Sequence, residues 1–241
     1  MNPPVEIWER RYADALHTPA APRNVKLTPW LAPWLEDAFQ ANPAESPTPP
    51  PPLRALDLGC GAGHDTTYLL TRGYDVTALD HSANALELSR RRNPAARHLR
   101  ADLRDLDQVL PLPPPPPASA FYDAAAVGWH LIVASLSLHY FTREDTLKIF
   151  AAIHARLRSG GLFAFRLNAY DERGAPPDPT SWELTTEGDD AVPRQYFTED
   201  KIRDALAGRY AILSLRKQTV RRYDADKSLY EVIALKPEIA S

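Results

Sequence analysis

The feature that most constrains the fold is a glycine-rich segment that directly follows a short apolar run. Residues 53–58 read Leu-Arg-Ala-Leu-Asp-Leu and lead into Gly59-Cys60-Gly61-Ala62-Gly63. An apolar run of this length predicts a buried strand, and the glycines predict a tight turn that opens the next helix. A strand, a glycine turn and a helix in this order are typical of parallel α/β sheets.

Strands and helices alternate after this turn. Short apolar runs predict strands, and apolar residues every three or four positions predict helices. The pattern places strands at 53–58, 74–80, 97–101, 131–136 and 162–167, with helices at 64–72, 82–92 and 142–157. A Ser159-Gly160-Gly161 turn is expected to follow the last of these helices. Such alternation is typical of a parallel sheet covered by helices on both faces.

The two ends of the chain depart from this alternation. Mixed apolar spacing predicts two helices within residues 5–40, and a helix at 198–207 precedes two further strands at 210–220 and 229–235. Their short connection makes those two strands antiparallel. We therefore predict an α/β, Rossmann-like, doubly wound sheet of about seven mostly parallel strands, with a terminal antiparallel hairpin edge and an N-terminal helical segment.

Composition argues against several classes of function. With 28 Lys and Arg against 31 Asp and Glu, the 241-residue chain has a formal charge of −3, unlike a dedicated nucleic-acid binder. No apolar run approaches the ~18 residues of a membrane span, and the N-terminus does not resemble a secretory signal. One cysteine, Cys60, excludes an intrachain disulfide and a multi-cysteine zinc site. We expect a cytoplasmic protein with no membrane partner.

Proline is over-represented, with 24 residues, and most of the excess lies in two runs at 46–52 and 111–117. Because proline fixes φ and lacks an N–H donor, both runs should be extended polyproline II segments. We interpret them as stiff surface connections. The Pro-Leu-Pro-Pro segment at 111–114 also matches the pattern that SH3 domains bind, so an SH3-type partner is a less favoured alternative.

Four strand ends should meet at one edge of the predicted sheet. The glycine loop, Asp80, Asp102 and Ser135 each follow a predicted strand. Ligands of open parallel sheets bind outside the carboxyl ends of the strands, where the strand order reverses. Glycines admit a ligand close to the backbone. Asp80 could accept both hydroxyl protons of a ribose, and Asp102 could accept from an exocyclic amine such as that of adenine.

The spacing of the glycines discriminates among nucleotides. Dinucleotide-binding loops follow G-x-G-x-x-G, whereas Gly63 comes two residues after Gly61 and His64 stands where the third glycine would. The loop does not match a P-loop either. We therefore expect a nucleoside ligand without a pyrophosphate.

Several ordered segments resemble the class I S-adenosylmethionine-dependent methyltransferases. The similarity covers about residues 53–168 and includes Leu56-Asp57-Leu58-Gly59-Cys60-Gly61-Ala62-Gly63, Asp80, Ala101-Asp102-Leu103, residues 132–141 and residues 157–163. Residues 137–141, 165–168 and 194–197 are more loosely similar to small-molecule methyltransferases of the tellurite-resistance and thiopurine type. The resemblance implies S-adenosyl-L-methionine as cofactor, in-line methyl transfer to a small-molecule nucleophile, and no metal.

The resemblance also implies roles for individual residues. Residues 1–45 would form a helical lid, with Trp8 and Tyr12 over the cofactor, and residues 46–241 the methyltransferase domain. Core packing is an equally good account of that helix. The cofactor set is Asp57, Gly59, Cys60 and Gly61 for the methionine end, Asp80 for the ribose, Asp102 and Leu103 for the adenine, and Ser135 near sulfur, together with His81 next to Asp80.

The acceptor side is less marked in the sequence. His139 follows the fourth strand and could act as a general base, with a purely structural histidine as the alternative. Polar groups at strand ends and in an overlying loop could face the transferred methyl group, and solvated loop residues are the alternative. These candidate substrate residues are Arg166, Asn168, Arg194 and Tyr196.

One departure from the family pattern concerns the acid before the fourth strand. Phe121-Tyr122-Asp123 is separated from Leu131 by residues 124–130, and we favour an inserted segment as the cause.

Two other functions stay open. The first, an NAD(P)-dependent Rossmann oxidoreductase, is disfavoured by the glycine spacing and by the absence of a Tyr-x-x-x-Lys-like pair. The second is a non-catalytic, methyltransferase-like interaction protein that presents its proline runs.

Overall fold

The computed structural model describes residues 5–17, 30–38, 53–112, 128–171, 178–186, 192–222 and 225–238. The first proline run, most of the second run and Asp123 lie outside these ranges, so the expectations about them stay predictions. Within the described ranges, no helix is both long enough and apolar enough to cross a membrane.

A seven-stranded mixed sheet forms the centre of the molecule. Its strands are β1 (Arg54–Leu58), β2 (Asp75–Asp80), β3 (Arg97–Arg100), β4 (Trp129–Ser135), β5 (Leu157–Asn168), β6 (Ala211–Arg222) and β7 (Ala225–Leu235). They lie in the order β3-β2-β1-β4-β5-β7-β6. The first five pair in parallel, and β7 pairs antiparallel with both β5 and β6. The predicted sheet with its antiparallel edge is confirmed.

Seven α-helices within the described ranges accompany the sheet. They are α1 (Val5–His17), α2 (Ala32–Ala38), α3 (His64–Thr71), α4 (Ala83–Arg92), α5 (Leu106–Val109), α6 (Arg143–Arg156) and α7 (Glu199–Leu206). Hydroxyl side chains begin three of them: Ser82, Thr142 and Thr198 each accept a hydrogen bond from the backbone N–H three residues on. The predicted N-cap at Ser82 is confirmed.

The core covers both faces of the sheet. On one face Phe150 of α6 packs edge-on against Phe163 and Phe165 of β5, with ring centroids 5.4 Å away in both cases. On the other face Leu69 of α3 packs in a cluster with Val133 of β4. Successive residues of a strand point to opposite faces. A continuous apolar run such as that of β4 therefore buries side chains on both faces, as the sequence predicts for a central strand.

The predicted turn at Ser159-Gly160-Gly161 is wrong. Leu157 is already extended and pairs with Trp129, so strand β5 begins where helix α6 ends. The next pair joins Leu131 to Leu162, so β4 advances by two residues while β5 advances by five. The three residues form a bulge in the strand rather than a helix-ending turn, and Gly160 supplies its positive φ of 71°.

Candidate functional site

The topology places a crevice at the carboxyl end of β1. From β1 the chain proceeds to β2 and β3 on one side, and then returns to β4 on the other side of β1. The strand order reverses at this point, which is where open α/β sheets bind ligands. We call the glycine loop with Asp57 and Asp80 the β1–β2 side, and the ends of β4 and β5 with residues 192–198 the β4–β5 side.

The glycine loop folds tightly over the ends of β1 and β2. Gly59 and Cys60 both donate their N–H groups to the Leu79 carbonyl, at 2.7 and 3.0 Å. Gly59 has a φ of 68°, and a Cβ placed there would lie 2.4 Å from the Ser137 Cβ. Gly61 has a φ of 53°. Both positions require glycine because side chains disfavour this backbone region.

Asp80 is held at the end of β2 by the loop itself. Its carboxylate accepts the N–H of Gly61 through one oxygen and the N–H of Ser82 through the other, each at 2.9 Å. The side chain is buried. Burial raises the pKa of Asp80, and the two backbone hydrogen bonds oppose that rise. The carboxylate is therefore fixed beside the glycine loop.

Asp57 is the most buried acid of the β1–β2 side, with 1% of its surface exposed. Thr66 donates its hydroxyl to the Asp57 carboxylate at 2.6 Å. Burial, together with the negative charges of Asp65 and Asp80, raises the pKa of Asp57 from its ordinary 3.8 to about 7. Three acids thus crowd one end of β1, and a cation placed among them would relieve their repulsion.

Cys60 lies between these acids but is not activated. Its thiol is buried, and burial together with the charge of Asp57 raises the pKa of Cys60 well above its usual value. A nucleophilic cysteine needs a stabilised thiolate, which this environment opposes.

Asp102 is engaged by a neighbour. It caps a short 3-10 helix, Leu103–Asp105, and accepts two hydrogen bonds from the Arg104 guanidinium, at 2.9 and 2.7 Å. Burial acts to raise the pKa of Asp102, but the bonds from Arg104 outweigh it and the pKa is lowered. Leu103 is buried beside it. An amine ligand would therefore share Asp102 with Arg104.

On the β4–β5 side, Ser135 and Arg166 are paired across adjacent strands. The Arg166 guanidinium donates two hydrogen bonds to the Ser135 hydroxyl, at 3.0 and 2.6 Å. It also lies 3.9 Å from the Asp65 carboxylate and over the ring of Trp30, with 4.9 Å to the centroid. Trp30 in turn donates its indole N–H to Asp65 at 3.3 Å. Helix α3 and the residues before α2 therefore supply part of this wall.

His139 is buried in a second 3-10 helix, Leu138–Tyr140. Its ring contacts that of Tyr140, with centroids 4.2 Å apart, and its carbonyl accepts the N–H of Gln195 at 2.7 Å. The Gln195 side chain donates to the carbonyls of Phe141 and Trp182, at 2.6 and 3.2 Å. These bonds bring the segment around Gln195 against the residues that follow β4.

The remaining candidate substrate residues lie along the same segment. The Phe197 N–H donates to the Asn168 carbonyl at 3.0 Å, which brings Tyr196 next to the end of β5. Arg194 pairs with Thr185 through two backbone bonds of 2.9 Å and donates its Nε to the Val192 carbonyl. Asn168, Arg194 and Tyr196 are all partly exposed.

Helix α1 lies over the β1–β2 side. The Trp8 ring packs edge-on against His81, with centroids 6.1 Å apart, and against Tyr140, at 4.8 Å. A Cβ placed on Gly61 would lie 2.7 Å from the Tyr12 hydroxyl, so Tyr12 closes over the loop. Trp8 therefore lies against His81 and Tyr12 against the glycine loop, and their role as a lid stays a prediction.

Sequence reasoning missed several residues of this site. Glu9, Trp30 and Gln195 contact it from distant parts of the chain, Asp65 contacts it from the helix after the glycine loop, and nothing in their local sequence distinguishes them. Leu136 has a φ of 58°, a region that side chains disfavour, directly after β4. Such strain is common at functional sites, but no residue type signals it in advance. Among the described residues, no three His, Cys, Asp or Glu side chains group as metal ligands.

Comparison with known proteins finds a matching domain model and several relatives. A family model described as a methyltransferase domain matches residues 56–163. A malonyl-[acyl-carrier protein] O-methyltransferase of Enterobacter lignolyticus is 29% identical over 173 residues, which are 71% of this chain and 60% of that protein. A trans-aconitate 2-methyltransferase of Paracidovorax citrulli is 30% identical over 164 residues, 66% of this chain and 52% of that protein. The chain thus spans less than two thirds of these relatives.

Solved structures share the fold. A 1,6-didemethyltoxoflavin-N1-methyltransferase of Burkholderia thailandensis, solved with S-adenosylhomocysteine, superposes with a TM-score of 0.62 at 20% identity. The similarity covers 97% of this chain and 87% of that one. It extends the common architecture to parts of the chain outside the matched domain.

Proposed function

We propose that this chain, which belongs to the class I S-adenosylmethionine-dependent methyltransferases, transfers a methyl group from S-adenosylmethionine to a small-molecule nucleophile. The observation that carries the proposal is the convergence of the glycine loop and Asp80 at the strand-order reversal, inside the matched domain. The NAD(P) oxidoreductase is not favoured. The relatives named above support a small-molecule acceptor.

The charge of the crevice fits this cofactor. S-adenosylmethionine carries a sulfonium and an ammonium group, and burial together with the negative charges of Asp65 and Asp80 raises the pKa of Asp57 at the end of β1. A cationic ligand would lower that pKa again, because it favours the ionised acid. Gly59 and Gly61 carry no side chains, and Ser137 and Tyr12 lie directly against them, so the loop backbone is packed closely under α1.

The residues of the chain would bind and orient rather than react. When bound, S-adenosylmethionine supplies a methyl group that is already activated on sulfur. We assign Asp57 and the Gly59–Gly61 loop to the methionine end, Asp80 and His81 to the ribose, and Ser135 to the wall near sulfur. Correct alignment of two reactants can contribute on the order of 7–11 kcal/mol to catalysis.

The adenine and acceptor pockets complete the proposal. Asp102 and Leu103 would contact the adenine, with Arg104 sharing the Asp102 carboxylate. The acceptor would lie on the β4–β5 side, against the set Arg166, Asn168, Arg194 and Tyr196, with His139 as the proposed general base.

Residues 1–45 would form the lid through Trp8 and Tyr12, and residues 46–241 the catalytic domain. A cytoplasmic location is in keeping with a chain that has a single cysteine.

Titration calorimetry tests the proposal directly. The purified chain is titrated with S-adenosylmethionine, S-adenosylhomocysteine and NADH in parallel. We expect micromolar binding of the first two and none of NADH. Binding of NADH alone would favour the oxidoreductase. Absence of binding by all three would favour the non-catalytic alternative, whose own test is loss of SH3 binding when residues 111–117 are deleted.

A further inference from the structure

Glu9 attaches helix α1 to the first turn of helix α4. Its carboxylate accepts the N–H groups of Ala83 and Asn84, at 2.8 and 3.0 Å, and the Ser82 hydroxyl at 3.0 Å. The Asn84 amide also donates back to the Glu9 carbonyl at 2.8 Å. The Arg100 guanidinium lies 3.3 Å from the same carboxylate. Five contacts from α4 and its surroundings therefore converge on one residue of α1.

These contacts satisfy a need of α4. The first N–H groups of a helix have no partner within it, and the helix dipole favours a negative charge there. The first turn of α4, all of it described, holds no acidic residue of its own. Glu9 supplies the missing charge from another helix. Partial burial acts to raise the pKa of Glu9, but the bonds from Asn84, Ala83 and Ser82 outweigh it and lower the pKa, so Glu9 is held ionised.

The position of Glu9 determines what the rest of α1 covers. Trp8, immediately before it, packs on His81 and Tyr140, and Tyr12, one turn later, lies over Gly61. Residues three or four positions apart share one side of a helix. The turn that Glu9 binds begins at Ser82, two residues after Asp80. An attachment at this turn therefore sets Tyr12 over the glycine loop and Trp8 against His81 and Tyr140.

We propose that Glu9 is a positioning residue that latches α1 over the cofactor crevice, so that breaking its contacts with α4 limits cofactor release. The identity of the cofactor in this statement rests on the proposed function. The attachment of α1 to α4 does not. A ligand enters or leaves only while α1 is detached, so weakening the latch raises the rates of both release and binding.

The experiment measures the rates of S-adenosylhomocysteine binding and release by stopped flow in three variants. We expect Glu9→Ala to raise the dissociation rate about tenfold and to raise the association rate by about twofold or more, since several hydrogen bonds to a charged group are lost. Glu9→Gln keeps an acceptor oxygen and should raise the dissociation rate only about threefold. Glu6→Gln, on an exposed position of the same helix, is the matched control and should behave as the wild type.

Amide hydrogen exchange supplies a second, ligand-free measurement. In Glu9→Ala the amides of Ala83 and Asn84 should exchange at least tenfold faster, with no change elsewhere in α4. An unchanged dissociation rate in Glu9→Ala, or an affinity lost through slower association alone, overturns the latch. If the wild type binds no S-adenosylhomocysteine, the proposed function and the gating role fail together, while the exchange at Ala83 and Asn84 still reports whether Glu9 holds α1.

Discussion

The two sides of the crevice are built by different kinds of contact. The β1–β2 side is made by about 25 consecutive residues, in which a strand, a glycine loop and the next strand end place Asp57 beside Asp80. The β4–β5 side is assembled from separate parts of the chain, such as Trp30 on Arg166 and Gln195 against His139. A local motif can be shared by a whole family, whereas a wall made of distant segments can differ from one member to the next.

The largest expected effect concerns Asp80. We predict that Asp80→Ala weakens S-adenosylhomocysteine binding about 100-fold or more, because hydrogen bonds to a charged group are worth about 1.5–3 kcal/mol each. Calorimetry measures the affinity, and circular dichroism checks the fold. Asp75→Ala, at the exposed start of the same strand, is the control and should bind normally. Wild-type affinity in Asp80→Ala would remove the ribose assignment.

Substitutions on the β4–β5 side should lower the rate of turnover rather than the affinity for the cofactor. If His139 is the general base, His139→Ala lowers the rate of S-adenosylhomocysteine formation about 100-fold, the typical contribution of such a group. The affinity for the cofactor should change less than threefold. The assay uses an acceptor found by screening small nucleophiles. His154→Ala, near the end of α6, is the control. An unchanged rate would assign buried His139 a structural role.

Alanine substitutions at two glycines distinguish the effect of backbone strain from the effect of crowding against α1. Gly61 and Gly73 both have a positive φ, 53° and 80° respectively. A Cβ added to Gly61 would lie 2.7 Å from the Tyr12 hydroxyl, whereas a Cβ added to Gly73 would meet no atom within 4 Å. Each change to alanine should cost about 1–2 kcal/mol of stability. Only Gly61→Ala should also weaken S-adenosylhomocysteine binding, about tenfold, measured by calorimetry. Equal affinity in the two variants would show that Tyr12 does not matter for the loop.

The long-range contacts of the β4–β5 side can be weakened alone. Gln195→Leu leaves the carbonyls of Phe141 and Trp182 without their donor and should cost about 1–2 kcal/mol. The thermal midpoint should fall by several degrees, while the affinity for S-adenosylhomocysteine stays within twofold. Gln218→Leu, exposed on strand β6, is the control. A loss of cofactor affinity would mean that the two sides of the crevice are coupled.

The smallest effect is a pH dependence on the β1–β2 side. The pKa of Asp57 rises from 3.8 to about 7 through burial and the charges of Asp65 and Asp80. A raised pKa means that the folded state holds the proton more tightly, so this contribution to stability is complete below pH 3.8 and is lost as pH rises through 7. Asp57→Asn should therefore flatten the fall of the ligand-free thermal midpoint between pH 5 and 8. The same pH dependence of the thermal midpoint in the wild type and in Asp57→Asn would contradict the raised pKa of Asp57.

The sequence predicts the parts of this molecule that local patterns encode. The alternating strands, the N-cap at Ser82 and the glycine loop follow from periodicity and residue type, and the structure confirms them. The sequence predicts a turn at Ser159-Gly160-Gly161, where the structure has a bulge, because glycines are common in both. Contacts such as those of Glu9 could not be predicted, since they depend on how distant helices pack and no local spacing records that.

A crystal structure with S-adenosylhomocysteine bound would show where the ribose lies relative to Asp80. We expect the ribose hydroxyls to donate to the Asp80 carboxylate, the glycine loop to follow the methionine end, and α1 to lie over both with Glu9 still bound to α4. A ligand bound elsewhere on the sheet, or with its ribose turned away from Asp80, would contradict this expectation.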